Sequence, residues 1–189
     1  MSERTQNTAR GFTLVEVLIA ALLGSLILVG VLTTNLQVVR SGVRITQYAE
    51  MEAQVRRGLE QLGHDVRIAS GITWNSGSDI TLTIPSGSVS QQVTYAWTGA
   101  TQSLFVVAGS DSSVTAGRVY LVQGIPPLAN GSAGLTFARY DRDGNGAATD
   151  AATKRIQVTM VLGRNARVMP SATETAVSAT YTMRNKVAN

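Results

Sequence analysis

An almost uncharged run lies near the start of the chain: Phe12-Thr-Leu-Val-Glu-Val-Leu-Ile-Ala-Ala-Leu-Leu-Gly-Ser-Leu-Ile-Leu-Val-Gly-Val-Leu32. Between Phe12 and Val39 the only ionisable side chain is Glu16. As a helix these residues would be roughly 42 Å long, more than the ~30 Å hydrocarbon core of a bilayer. Lipid offers the backbone no hydrogen-bond partners, so the sequence predicts a membrane-spanning helix over residues 12–39. Basic residues precede the run and none follows it before Arg40, which places the N-terminus in the cytoplasm.

The position of Glu16 separates this helix from two ordinary alternatives. A secretory signal peptide has a shorter apolar stretch of about 7–15 residues before a small-x-small cleavage site, and no clean Ala-x-Ala follows here. A plain signal anchor fits the length but leaves Glu16 unexplained, because a carboxylate inside a spanning helix is costly unless it is paired. If the chain began at Phe12, Glu16 would lie one turn from a free α-amino group.

The hexapeptide Gly11-Phe12-Thr13-Leu14-Val15-Glu16 resembles the processing motif of type IV prepilins and of the pseudopilins of type II secretion. The resemblance implies that a prepilin peptidase cuts after Gly11 and methylates the new N-terminal Phe12. It also implies that Glu16 pairs with the Phe12 ammonium of a neighbouring subunit, which would offset the penalty of burying its charge. The partners it implies are the peptidase, other pilins or pseudopilins, and the inner-membrane assembly platform.

Beyond Arg40 the sequence predicts that the helix continues, now with one apolar side. Apolar residues recur at spacings of three and four, and charged residues fall largely between them. This stripe consists of Ile45, Tyr48, Met51, Val55, Leu59, Leu62, Val66 and Ala69. The pattern predicts an amphipathic helical half over residues 40–69.

From Ser70 the composition shifts to Gly, Ser and Thr with short β-rich runs. Alternation of apolar and polar residues predicts strands at 79–84, 89–97, 103–108, 118–122, 135–140, 155–162 and 177–184. We therefore expect an α+β protein in which the amphipathic half of the long N-terminal helix packs on an antiparallel β-sheet head. The predicted parts are a leader (1–11), the transmembrane or filament-core helix (12–39), the amphipathic half (40–69) and the β-rich head (70–189).

Three short segments narrow the resemblance to minor subunits. Leu62-Gly-His-Asp65-Val-Arg67-Ile-Ala69, Tyr140-Asp-Arg-Asp-Gly and the closing Arg184-Asn185 resemble parts of PilW-like minor pilins and of J-type minor pseudopilins. They imply a structural subunit that primes, caps or modulates pilus assembly, or alternatively a minor pseudopilin of a type II secretion system. Its head would lie in the periplasm behind a single inner-membrane span, and later in a periplasmic or cell-surface filament.

An acidic segment late in the chain suggests a metal site. Asp141, Asp143 and Asn145 place oxygen donors at alternate positions before Gly146, as at the start of an EF-hand calcium loop. The twelfth position is Ala152 rather than a bidentate Glu, and Asp150 is the substitute ligand. The alternative is an exposed hairpin loop, where Asp, Asn and Gly are expected in any case. Calcium is the ion that this pattern predicts.

The sequence also bears on two further functions, DNA binding and catalysis. A surface adhesin or DNA-binding pilus tip would use a basic cluster, whose ordinary explanation is a solvated face. Catalysis has no motif in its favour: the chain lacks cysteine, and its one histidine, His64, is expected on the helix surface beside Asp65. We therefore expect that this protein is not an enzyme. The basic cluster consists of Arg139, Arg142, Lys154, Arg155, Arg164 and Arg167.

Overall fold

The computed structural model describes residues 12–163 and 175–186. Within these ranges one helix, α1 (Leu14–Ile68), precedes eight strands. The strands are β1 (Gly71–Ser76), β2 (Asp79–Ser86), β3 (Val89–Thr98), β4 (Ser103–Ala108), β5 (Val119–Gln123), β6 (Leu135–Tyr140), β7 (Arg155–Leu162) and β8 (Thr175–Thr182).

The strands form two antiparallel sheets, one ordered β1-β2-β3-β4-β5 and one ordered β6-β7-β8. The α+β class and all seven predicted strands are confirmed, with ends that shift by a few residues. The expectation of one sheet is corrected to two. The segment between β5 and β6, which contains Pro126-Pro127, leaves the first sheet before β6 starts the second.

The sequence analysis missed β1. Its residues, Gly-Ile-Thr-Trp-Asn-Ser, include three that favour turns, and Ile72 is its one buried side chain. The strand forms because β2 supplies a partner: Ile72 lies opposite Leu82, and Trp74 lies opposite Ile80. Pairing with a neighbouring strand therefore outweighs weak local propensity.

The chain divides into two compact units, an N-terminal unit (Met1–Ala49) and a C-terminal unit (Glu50–Asn189). The division falls inside α1, so the last part of the helix belongs to the same unit as the strands. The boundaries predicted at residues 11, 39 and 69 stay predictions.

The core of the C-terminal unit lies between the helix stripe and both sheets. Met51 and Leu59 are half-buried and pack against it, and the side chains of Ile45 and Tyr48 lie outside the described part of the chain. The described part of the predicted stripe is therefore confirmed. Buried members from the helix and its end are Val55, Leu62, Val66 and Ala69; from the first sheet Ile80, Leu82, Tyr95, Leu104 and Val122; from the second Leu135, Phe137, Ile156, Val158, Met160 and Leu162.

Two glycines let the strands approach this stretch of helix closely. A Cβ added at Gly58 would lie 2.7 Å from Val122 Cγ2 of β5. A Cβ added at Gly63 would lie 2.5 Å from Cε1 of Tyr181 on β8. Glycine disfavours helix by about 1 kcal/mol relative to Ala, so these residues are explained by packing rather than by propensity.

Candidate processing and assembly site

The helix begins at a capped N-terminus directly after Phe12. The Thr13 hydroxyl accepts a hydrogen bond from the Glu16 N–H at 3.3 Å, and the Thr13 carbonyl accepts from the N–H groups of Glu16 and Val17 at 3.1 and 3.2 Å. The Thr-x-x-Glu spacing is that of a capping box, and among the described residues its Thr13 half is formed, which satisfies one of the amides that a helix start leaves unpaired. Phe12 is 83% exposed, and Gly11 lies outside the described residues.

The Glu16 carboxylate lies in the first turn of α1, where the helix dipole favours negative charge. Within residues 12–163 and 175–186 no hydrogen bond or ion pair reaches this carboxylate, and the residue is exposed. In lipid or in a filament core an unpaired carboxylate is costly. Glu16 is therefore placed to take a cation from outside these residues, and its pairing with a neighbour's Phe12 stays a prediction.

The first half of α1 has an apolar surface that is open on all sides. Every residue from Phe12 to Val39 is exposed. Leu14–Val39 has a mean hydropathy of 2.6 and is long and apolar enough to cross a membrane. Large contiguous apolar surfaces are covered by lipid or by another protein. A helix that is long and apolar enough to span a membrane thus lies within residues 12–39, where the sequence predicts one.

The hydroxyl groups within this apolar half bond to its own backbone. Ser25 Oγ donates to the Leu22 carbonyl at 2.8 Å. Thr33 and Thr34 both donate to the Gly30 carbonyl, at 2.8 and 2.9 Å. Because bonds within the helix replace bonds to water, these residues are compatible with a lipid or filament-core environment.

A comparison with protein-family models gives a match in this N-terminal segment. Residues 6–32 match the family model of the prokaryotic N-terminal methylation motif. The chain has a prepilin-type N-terminus. The match includes the predicted cut after Gly11, the Glu16 position and the apolar run as far as Leu32. It confirms the resemblance to the type IV pilin and pseudopilin superfamily, a family of structural subunits with a prepilin-peptidase motif. No curated protein matches the chain.

The predicted calcium segment lies in the β6–β7 loop (residues 141–154). Asp141 Oδ1 accepts hydrogen bonds from the Gly144 and Asn145 N–H groups, each at 2.8 Å. Desolvation raises the pKa of Asp141, but these backbone hydrogen bonds outweigh it and hold the pKa below its usual value. This carboxylate therefore closes a turn within its own loop.

Asp150, the proposed substitute ligand, bonds to other parts of the chain. Its Oδ1 accepts from Arg139 Nη1 at 2.5 Å, and its Oδ2 accepts from the Trp74 N–H at 3.1 Å. The Arg139 guanidinium also lies 5.2 Å from the centroid of a Trp74 ring. Among the described residues no group of three or more His, Cys, Asp or Glu side chains is arranged to hold a metal ion. Calcium binding stays a prediction, and the four proposed ligands do not form such a group.

Several members of the basic cluster are held by contacts within the head. Arg139 bonds to Asp150 as described, and Arg155 Nη2 donates to the Arg142 carbonyl at 2.7 Å. Lys154 Nζ donates to the carbonyl of Lys186. Arg164 and Arg167 lie outside the described residues. These contacts give the side chains of Arg139, Lys154 and Arg155 local structural roles, and DNA binding stays untested.

The sequence analysis missed a polar contact that links α1 to the first sheet. Tyr95 is fully buried on β3, and its hydroxyl donates to Asp65 Oδ2 at 2.6 Å. Burial, the hydrogen bond that Tyr95 donates to Asp65 and the negative charge of Asp65 all raise the pKa of Tyr95. His64, the neighbour of Asp65, is exposed on the helix as expected. A buried tyrosine suggests a hydrogen bond to some polar partner. The sequence does not identify Asp65 as that partner, because 30 residues separate it from Tyr95.

Proposed function

We propose that this chain is a minor type IV pilin-like subunit that primes, caps or modulates assembly of a filament. In this proposal the peptidase cuts after Gly11, Phe12 becomes the methylated N-terminus, and residues 12–39 pass from the inner membrane into the filament core. The head then lies in the periplasm or at the cell surface. Other pilin-like subunits and the assembly platform are its partners.

The observation that carries the proposal is that Glu16 has no partner among the described residues and lies on the apolar helix segment 12–39, which is exposed throughout. A soluble protein would cover such a surface, and a simple membrane anchor would have no use for a carboxylate in its first turn. An α-amino group on a neighbouring Phe12 would supply the missing cation. Fixing register between subunits is a well-supported use of a buried ion pair.

Contacts at the end of α1 support the assignment as a minor subunit. Two of the three segments that resemble minor pilins and minor pseudopilins meet at the end of α1. The Arg184 N–H donates to the Arg67 carbonyl at 3.2 Å, and Asn185 Nδ2 donates to the Ile68 carbonyl at 3.1 Å. These bonds satisfy carbonyls that a helix end leaves unpaired, so both segments have one shared role in the structure.

The alternative within the same class is a minor pseudopilin of a type II secretion system. The prepilin-type N-terminus and the helix-end contacts support it equally, because both kinds of subunit share these features. Purification of the chain with pilus components favours the first assignment, and purification with secretion components favours the second.

The test compares Glu16→Ala and Glu16→Gln with the wild-type chain in the native membrane. We expect both variants to be cut, but the fraction recovered in sheared filaments to fall at least about tenfold, which corresponds to losing about 1.4 kcal/mol of pairing free energy. Glu52→Ala is the matched control, since Glu52 is an exposed carboxylate in the C-terminal unit. Wild-type incorporation of Glu16→Ala would contradict the proposed role.

A further inference from the structure

After β8, the C-terminal segment (residues 183–186) contacts the β6–β7 loop as well as the end of α1. The Met183 N–H donates to the Lys154 carbonyl at 2.9 Å. The two residues that follow bond to the helix end, as described above. The next residue, Lys186, extends its side chain into the loop. The C-terminal segment therefore connects the β6–β7 loop to the end of α1, two parts of the C-terminal unit that are far apart in sequence.

The ammonium group of Lys186 lies among backbone carbonyls of this loop. Only 7% of the residue is exposed. Its Nζ donates to the Thr153 carbonyl at 3.0 Å and to the Asp150 carbonyl. Lys154 Nζ in turn donates to the Lys186 carbonyl, so the two segments are joined in both directions. Thr153 itself is fully buried.

A buried ammonium needs negative partners to be tolerated. Burial lowers the pKa of Lys186, the nearby charge of Asp150 opposes this shift, and Lys154 adds to it. Carbonyl oxygens are the partners that proteins also use for hard cations such as calcium. The loop therefore supplies to Lys186 the kind of oxygens that it would supply to a metal ion.

Two of the three carboxylates proposed as calcium ligands are meanwhile engaged elsewhere. Asp141 closes a turn with Gly144 and Asn145, and the Asp150 carboxylate bonds to Arg139 and Trp74. We propose that the β6–β7 loop contains a cation site whose permanent occupant is the Lys186 ammonium, so that this loop is closed without calcium. Docking of the C-terminal segment then takes the place of metal binding. The proposal is independent of whether the chain serves a pilus or a secretion system.

The test uses the full-length chain in detergent, with trypsin cleavage after the exposed Arg142 as a local measure of loop opening. We expect Lys186→Met to be cut at least about tenfold faster than the wild type, since the loop loses its cation. We expect the thermal unfolding midpoint of Asp143→Asn to equal that of the wild type, because Asp143 is exposed and its side chain makes no hydrogen bond or ion pair among the described residues. The thermal unfolding midpoint of the wild type should be the same in excess calcium and in excess chelator.

Opposite outcomes would overturn the proposal. A saturable, calcium-dependent rise in the wild-type midpoint that Asp143→Asn abolishes would show that the loop binds calcium through its carboxylates. Cleavage of Lys186→Met at the wild-type rate would show that the ammonium does not close the loop. If Lys186→Met does not accumulate as folded protein, the calcium comparison on the wild type and Asp143→Asn decides by itself.

Discussion

The two ends of α1 use the same residue type in opposite ways. In the N-terminal unit a Cβ added at Gly24 or Gly30 would meet nothing within 4 Å. In the C-terminal unit a Cβ added at Gly58 or Gly63 would enter a neighbouring side chain. One helix thus has two different halves. The open half exposes an apolar surface to lipid or to other subunits, and strands cover the apolar face of the packed half.

Polar groups differ between the halves in the same way. In the open half the hydroxyls bond to their own helix, and the Glu16 carboxylate has no partner among the described residues. In the packed half the Asp65 carboxylate accepts a hydrogen bond from Tyr95. The comparison indicates that substitutions in the packed half change folding, whereas substitutions in the open half change assembly.

The largest expected effect on folding comes from Gly63→Ala. The new methyl group would enter the ring of Tyr181, and that ring cannot move freely because its hydroxyl donates to the Leu59 carbonyl at 2.9 Å. Overpacking costs about 1–3 kcal/mol and the gain in helix propensity returns about 1, so we expect a net loss of up to about 2 kcal/mol in the free energy of unfolding. Chemical denaturation of the full-length chain in detergent measures it.

Gly24→Ala is the matched control for this prediction. The open site accepts a methyl group without contact, so the unfolding of the C-terminal unit should be unchanged. Equal effects of the two substitutions would mean that the two halves of the helix do not differ as described.

A smaller effect is expected from Tyr95→Phe, which removes the hydroxyl that donates to Asp65. A hydrogen bond to a charged group contributes about 1.5–3 kcal/mol, and Asp65 is only half-buried, so we expect a loss near the lower limit. Tyr120→Phe is the control, because its hydroxyl makes no hydrogen bond among the described residues. Similar losses in both variants would contradict a specific role for the Tyr95–Asp65 contact.

The Tyr95 contact also predicts a dependence on alkaline pH. Because folding raises the pKa of Tyr95 above the ordinary 10.0, its contribution to stability is complete below about pH 10 and is lost as the pH rises further. The wild type should therefore lose stability above pH 10 more steeply than Tyr95→Phe.

Much of the fold followed from local periodicity. The apolar run, the helix stripe and the alternation in β7 each require only neighbouring residues to be recognised. Strand β1 did not follow, because three of its six residues favour turns and pairing with β2 makes them a strand. The division into two sheets depends on how distant strands pair, which periodicity does not report.

The processing motif could be recognised from the sequence because Gly11, Phe12 and Glu16 lie within six residues, and the roles of these three residues stay predictions. The contacts of Gly63 and Asp65 were not, since Tyr181 and Tyr95 are remote in sequence. Calcium binding by the oxygen donors of the β6–β7 loop stays a prediction. Their partners were not predictable, because alternate Asp and Asn residues suit a metal ion and a backbone turn equally well.

The central claim is that the mature chain begins at residue 12 as a pilin-like subunit. Intact-mass and N-terminal analysis of the protein from its native membrane tests this most directly. The account predicts a chain that starts at methylated Phe12. A chain that still starts at Met1 or Ser2 would contradict it and would leave an anchored domain with no role in a filament.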